Sequence, residues 1–142
     1  MFELRVESHF SAAHFLTDYH GKCENLHGHN YKVYAHIRGD YLNDGGMLMD
    51  FAEIKKVLNE ICDSLDHSNL NDMEVFKQNP SAERIAKYIY DQILVKLPTL
   101  SAKENALIVE TGGKPGSALL YAVDVFETDS NRARYLTEVR EE

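Results

Sequence analysis

Residues 2–14 alternate between apolar and polar, with Phe2, Leu4, Val6, Phe10, Ala12 and His14 on one parity and Glu3, Arg5, Glu7, His9 and Ser11 on the other. A period of two is that of a strand with one buried face, so the segment predicts a strand whose apolar parity meets a core. Residues 27–38 repeat the pattern. His27, His29, Tyr31, Val33, Ala35 and Ile37 share one side, and Asn30, Lys32, His36 and Arg38 the other. Two such strands in succession are expected to pair.

The period then changes. Asp44-Gly45-Gly46 signals a turn, and Asp50, three residues before Glu53, resembles a capping box opening a helix. Phe51, Ile54, Leu58, Ile61, Cys62 and Leu65 recur at three- and four-residue spacing, which predicts an amphipathic helix over 51–63 with Cys62 on its buried face. A second helix is predicted from Asn79-Pro80, with asparagine as N-cap and proline at the first helical position. It turns Ile85, Ala86, Ile89, Ile93 and Leu97 inward, and Pro98 marks its end.

The last third reads as strands over Leu107–Thr111, Leu120–Thr128 and Ala133–Val139, separated by a GGKPGS loop and the turn Asp129-Ser130-Asn131. Strands grouped apart from helices predict an α+β fold, with two helices on one face of an antiparallel sheet.

Composition narrows the function. A chain of 142 residues is expected to form one domain over 1–142, and its 15 Lys+Arg against 23 Asp+Glu leave a net charge of −8. With no basic run, nucleic acid and anionic membranes are poor partners. The chain has neither a bilayer-length apolar run nor a signal-like N-terminus, so a cytoplasmic location is expected. Cys23 and Cys62 are then expected to be thiols. The unusual feature is seven histidines, concentrated in residues 9–36.

His27-Gly28-His29 puts two imidazoles on one strand face, a chelating spacing. If the first two strands are antiparallel, His14 arrives beside them from its neighbour. Three histidines with an open fourth position describe a catalytic zinc site, because structural sites are closed by four protein ligands. The bland alternative is hydrogen-bonded core histidines. His9 and His36 lie on the opposite parity, and His20 is a reserve ligand from the loop.

Four further residues are candidates. Cys23, beside Lys22 and four residues before His27, could act as base or nucleophile, ligate the metal, or be a surface thiol. Asp66-His67 could shuttle protons or merely end a helix. Glu127 ends the apolar parity of Tyr121, Val123 and Val125, so its inward carboxylate needs a partner: a ligand edge rich in N–H groups, or Arg132 or Arg134.

HFSAAH at 9–14, CENLHGHNY at 23–31, MLMDF at 47–51, LDHSNLND at 65–72, NPSAE at 79–83 and VFET at 125–128, taken in order, resemble the 6-pyruvoyl-tetrahydropterin synthase family. That family includes the branch making 6-carboxy-tetrahydropterin for queuosine synthesis. The resemblance covers about residues 4 to 137. It implies a ββααββ tunnelling fold whose strands form an oligomeric barrel, two trimeric rings making a hexamer, with active sites at subunit contacts. It also implies that Zn2+ is held by His14, His27 and His29, that Cys23 is the base, that Asp66 and His67 relay protons, and that Glu127 grips the pterin.

The implied substrate is 7,8-dihydroneopterin triphosphate. The Cys-x3-His-Gly-His spacing is similar to the branch that yields 6-carboxy-5,6,7,8-tetrahydropterin, acetaldehyde and triphosphate. The alternatives are 6-pyruvoyl-tetrahydropterin synthesis, without carbon–carbon cleavage, and a non-catalytic pterin- or metal-binding module. One departure is a longer segment over 101–118, where Glu110, on the parity of Ile108, competes with Glu127 as pterin anchor.

Overall fold

The computed structural model describes residues 1–17, 25–76, 79–104, 114 and 117–138. Strand β1 (Phe2–His14) and strand β2 (His27–Gly39) form an antiparallel pair running from Phe2↔Gly39 to His14↔His27. Helix α1 (Phe51–Leu65) follows, then a two-residue strand β3 (Ser68–Asn69), helix α2 (Ala82–Lys96), and strands β4 (Leu119–Thr128) and β5 (Asn131–Leu136). The sheet order is β3-β1-β2-β4-β5, antiparallel except for β3, which adds to β1 in parallel. The chain is a mixed α+β protein, with β3 an addition to the expected order.

The alternation read from the sequence is the burial pattern of the sheet. Val6, Phe10, Ala12, Tyr31, Val33, Ala35 and Ile37 are buried in one core with Ile54, Leu58, Ile61, Leu65, Ile85, Ile89 and Ile93 of the helices. α1 packs on β1, and α2 on β4 and β5. Burial of an aliphatic side chain contributes roughly 1.5–3 kcal/mol, which makes this layer the main source of stability. Cys62 is fully buried, and burial pushes its thiol up to about 11, as befits a small core residue.

Several boundaries differ from expectation for identifiable reasons. Phe51 is 55% exposed, and Val57 takes a buried place on α1. Asp50 does cap α1, its Oδ1 accepting from the Ala52 amide at 2.8 Å. The cap of α2 is Ser81, whose Oγ accepts from the Arg84 amide at 3.3 Å. Asn79, the expected cap, instead takes a left-handed φ of 131° and serves the site described below.

Strand β4 breaks its own alternation. Opposite His36 and Ile37 the register runs from Ala122 to Leu120, leaving Tyr121 as the extra residue of a bulge. Tyr121 therefore lies off the inward parity, with the Arg38 guanidinium 3.4 Å over its ring, and Leu120 pairs inward with Ile37. The predicted strand Leu107–Thr111, and Glu110 with it, lies outside the described residues.

The outer face of the sheet carries a charge network. His36, 6% exposed, places Nδ1 3.0 Å from Glu3 Oε1 and Nε2 2.7 Å from Asp124 Oδ2. Arg134 donates Nε and Nη2 to the two oxygens of Asp124, at 2.6 and 3.0 Å. His36 is thus a structural histidine, in keeping with its parity.

Candidate metal centre

The β1/β2 register brings the histidines together. His14 ends β1 opposite His27, and Ala12 sits opposite His29, so three imidazoles share the inner face at one end of the sheet. Their ring centroids are 4.5 Å (His14–His27), 5.0 Å (His14–His29) and 4.9 Å (His27–His29) apart. One nitrogen from each ring falls within 4.8 Å of the others, a grouping that can hold a metal ion.

Backbone carbonyls set the rings for ligation. Nδ1 of His14 lies 2.8 Å from the Pro80 oxygen, and Nδ1 of His27 lies 2.7 Å from the Asn25 oxygen. A carbonyl only accepts, so each Nδ1 carries the hydrogen and Nε2 is turned to the centre. Nε2 of His14 and of His29 is buried without a hydrogen-bond partner. A buried unpaired nitrogen costs about 1–3 kcal/mol, and a metal ion removes that cost. Burial lowers the pKa of His29, as do His14 and His27, against an opposing pull from Glu127; the neutral, ligating form is thereby favoured.

Two asparagines hold the chain that leaves β1. Asn71 Oδ1 accepts from the Phe15 amide at 2.8 Å while its Nδ2 donates to the Phe15 oxygen at 3.0 Å. Asn79 repeats this on Thr17, also at 2.8 and 3.0 Å. The side-chain amides mimic a neighbouring strand, and the second clamp sits next to Pro80, the residue that orients His14. The sequence reading missed Asn71 and gave Asn79 only the role of a helix cap; the available signal was the asparagines of LDHSNLND and NPSAE.

Glu127 closes another side. Between Phe126 and Thr128 the β4/β5 register slips by one, so Glu127 is itself a bulge residue, a device that re-aims a side chain. Its Oε1 lies 3.9 Å from His14 Nε2 and its Oε2 3.9 Å from His29 Nε2. The arginines considered as partners go elsewhere: Arg134 binds Asp124, and Arg132 approaches Asp124 to 3.8 Å. Nearby, the Tyr31 hydroxyl is buried without a partner, and burial together with the Glu127 charge raises its pKa, so it stays a neutral donor.

Asp66 and His67 form a pair on the far side of β1. Asp66 Oδ2 is 2.7 Å from His67 Nδ1, and its Oδ1 accepts from the Ser11 amide at 2.8 Å. The Ser11 amide, then His67, hold the Asp66 carboxyl below its ordinary pKa. His67, with φ 55°, donates its amide to the Ser11 oxygen at 2.6 Å while its ring is 85% exposed. A cleft of about 530 Å³ joins His67 to Ser11, Gly28, His29 and Asn69. Cys23, His20 and Lys22 lie outside the described residues.

A family model described as 6-pyruvoyl tetrahydropterin synthase matches residues 3–138. The chain belongs to that family. Among its relatives, the 6-carboxy-5,6,7,8-tetrahydropterin synthase of Bacillus subtilis is 38% identical over 126 residues, 84% of each chain. The human 6-pyruvoyl tetrahydrobiopterin synthase is 36% identical over 141 residues, 89% of this chain and 85% of that one. The solved 6-pyruvoyl tetrahydropterin synthase of Caenorhabditis elegans superposes with a TM-score of 0.73 at 28% identity, covering 96% of both chains. Tetrahydropterin synthases act on pterins, and relatives carry both the carboxy and the pyruvoyl name. No helix among the described residues is long and apolar enough to cross a membrane.

Proposed function

We propose that the protein is a zinc-dependent lyase, a 6-carboxy-5,6,7,8-tetrahydropterin synthase acting on 7,8-dihydroneopterin triphosphate. One observation carries the reading: His14, His27 and His29 converge with the buried Nε2 atoms of His14 and His29 unpartnered, beside the Glu127 carboxylate. Three neutral imidazoles suit Zn2+ in a catalytic site. When bound there, zinc supplies a Lewis acid that acidifies the C–H bonds next to the substrate's side-chain oxygens.

The remaining chemistry falls to the chain. Glu127 offers two parallel acceptors to the amino-pyrimidinone edge of the pterin, which orients the ring against the histidines. Cys23 takes the proton from the side chain as thiolate. Asp66, held ionised, orients His67, whose exposed ring passes the proton on. Loss of triphosphate and cleavage of the side chain then give the carboxy product and acetaldehyde, with net uptake of one water.

The Cys-x3-His-Gly-His spacing and the relatives of that name support the carboxy product. The second reading, elimination of triphosphate to the 6-pyruvoyl product, draws on the 36% identical human relative. Incubation with 7,8-dihydroneopterin triphosphate tests both. Triphosphate with trapped acetaldehyde establishes the first, triphosphate alone the second, and neither product rejects catalysis of this kind.

The reading extends to assembly. A cytoplasmic homo-oligomer, a hexamer of two trimeric rings closing a barrel and serving queuosine synthesis, is consistent with β5, whose described pairing is with β4 alone.

A further inference from the structure

We propose that the Tyr31 hydroxyl is a hydrogen-bond donor of the binding site, reserved for a negatively charged oxygen that a ligand brings among the three histidines. The inference rests on the functional reading above in taking that oxygen to be the one on which charge gathers as the substrate's side chain loses its proton.

Among the described residues, three buried side-chain polar atoms have no hydrogen-bond partner: Nε2 of His14, Nε2 of His29 and the hydroxyl oxygen of Tyr31. All three belong to one end of the sheet, because Tyr31 is the next inward residue after His29 on β2. They differ in what satisfies them. As ligands the nitrogens offer lone pairs, which a cation answers, whereas a phenol keeps its hydrogen at neutral pH and needs an acceptor. A metal ion therefore accounts for the two nitrogens and leaves the hydroxyl.

The ring is fixed from two sides. Tyr31 is fully buried, and its face is stacked on Phe10 with 4.7 Å between centroids and 15° between planes. Against His14 and His29 it stands near-perpendicular, with centroids 5.9 and 5.4 Å away. The charge of Glu127 reaches the hydroxyl, but that carboxylate lies toward the two imidazoles, 3.9 Å from each, and makes no hydrogen bond with Tyr31. On the functional reading Glu127 is taken by the N–H edge of the pterin once substrate binds. The acceptor is then left to the ligand's side chain.

A buried hydroxyl without a partner destabilises the ligand-free protein, and a phenylalanine at the same place avoids that penalty. Stacking on Phe10 needs no oxygen. What the oxygen adds is a donor already dehydrated and in place where negative charge develops, so that no rearrangement accompanies the step. Such a donor holds an enediolate-like oxygen more strongly than the neutral oxygen it derives from, and so favours the proton transfer as well as binding.

Tyr31→Phe removes the oxygen and keeps the ring, and the proposal gives its two effects opposite signs. The melting temperature of the metal-free protein, at fixed concentration, is expected to rise by roughly 2–4 °C because the unpaired group is gone. Affinity for acetohydroxamate, a small anion with adjacent oxygens, is measured by titration calorimetry on fully zinc-loaded protein. It is expected to fall roughly 10-fold or more in Tyr31→Phe, and by as much when Glu127→Gln is present in both proteins. A lowered or unchanged melting temperature, binding no weaker in Tyr31→Phe, or no binding by wild type overturns the assignment. So does loss of the effect with Glu127→Gln, which would make the carboxylate the acceptor. Turnover of 7,8-dihydroneopterin triphosphate with equal acetohydroxamate binding removes the donor and leaves the functional reading standing. Weaker binding and a raised melting temperature in a protein without turnover uphold the donor and remove that reading instead.

Discussion

The imidazole of His14 is held through Nδ1 by the carbonyl of Pro80, 2.8 Å away and 66 residues along the chain. A residue at the end of the first strand is thus aimed by the residue that leads into the second helix, whose chain neighbour Asn79 is clamped on Thr17. Asn79→Ala is expected to weaken zinc binding about 10-fold while leaving the three imidazoles in the chain, because outer groups that orient a ligand carry effects of that size. Chelator competition measures it; an unchanged affinity would show that the clamp does not act on His14.

Cys23→Ala is expected to keep its metal and lose turnover. Elemental analysis beside a product assay separates the two. Loss of metal would make the thiol a ligand, one of the alternatives its position left open.

Asp124 sets a dependence on acid. Burial pushes its carboxyl upward, but the hydrogen bonds and charges of Arg134 and His36 outweigh that and leave it below the ordinary carboxylate range. Glu3 is lowered as well, first by Arg38. A depressed native pKa contributes stability that is present above the unfolded value of about 3.9 and is lost as pH falls through the native one. Melting temperature is therefore expected to fall as pH drops below about 4. Asp124→Asn is expected to flatten that limb while costing on the order of 3 kcal/mol at neutral pH, since it strips a nearly buried network of its anion. A variant with the parent's acid limb would refute the assignment.

Ser81→Ala is expected to destabilise the fold by about 1 kcal/mol through loss of the α2 cap, read from denaturant midpoints. A midpoint equal to that of wild type would show that Ser81 does not cap α2.

The alternation of residues 2–14 and 27–38 carried most of what matters. It put His14, His27 and His29 on one face and His9 and His36 on the other, and an antiparallel pairing then places the first three at one sheet end. What it missed depends on contacts between distant segments. The bulge at Tyr121 arises from how β4 fits β2, and nothing in the local pattern of Leu120 to Thr128 marks it. β3 is two residues long and has no period to read. Phe51 fits the helical spacing of α1, yet the core beneath that turn is supplied by other residues, and it stays exposed. Glu127 was legible as an inward carboxylate in need of a partner. Its neighbours are two histidines, while Asp124 holds Arg134 at 2.6 Å and Arg132 lies 3.8 Å from the same carboxylate.

The central claim is that His14, His27 and His29 hold one metal ion. Elemental analysis of purified wild type, His14→Ala and His9→Ala tests it most directly. One zinc per chain is predicted in wild type and in His9→Ala, and a large loss in His14→Ala. Folded wild type that takes up no metal from a zinc-containing buffer, or equal occupancy in the two variants, would contradict it.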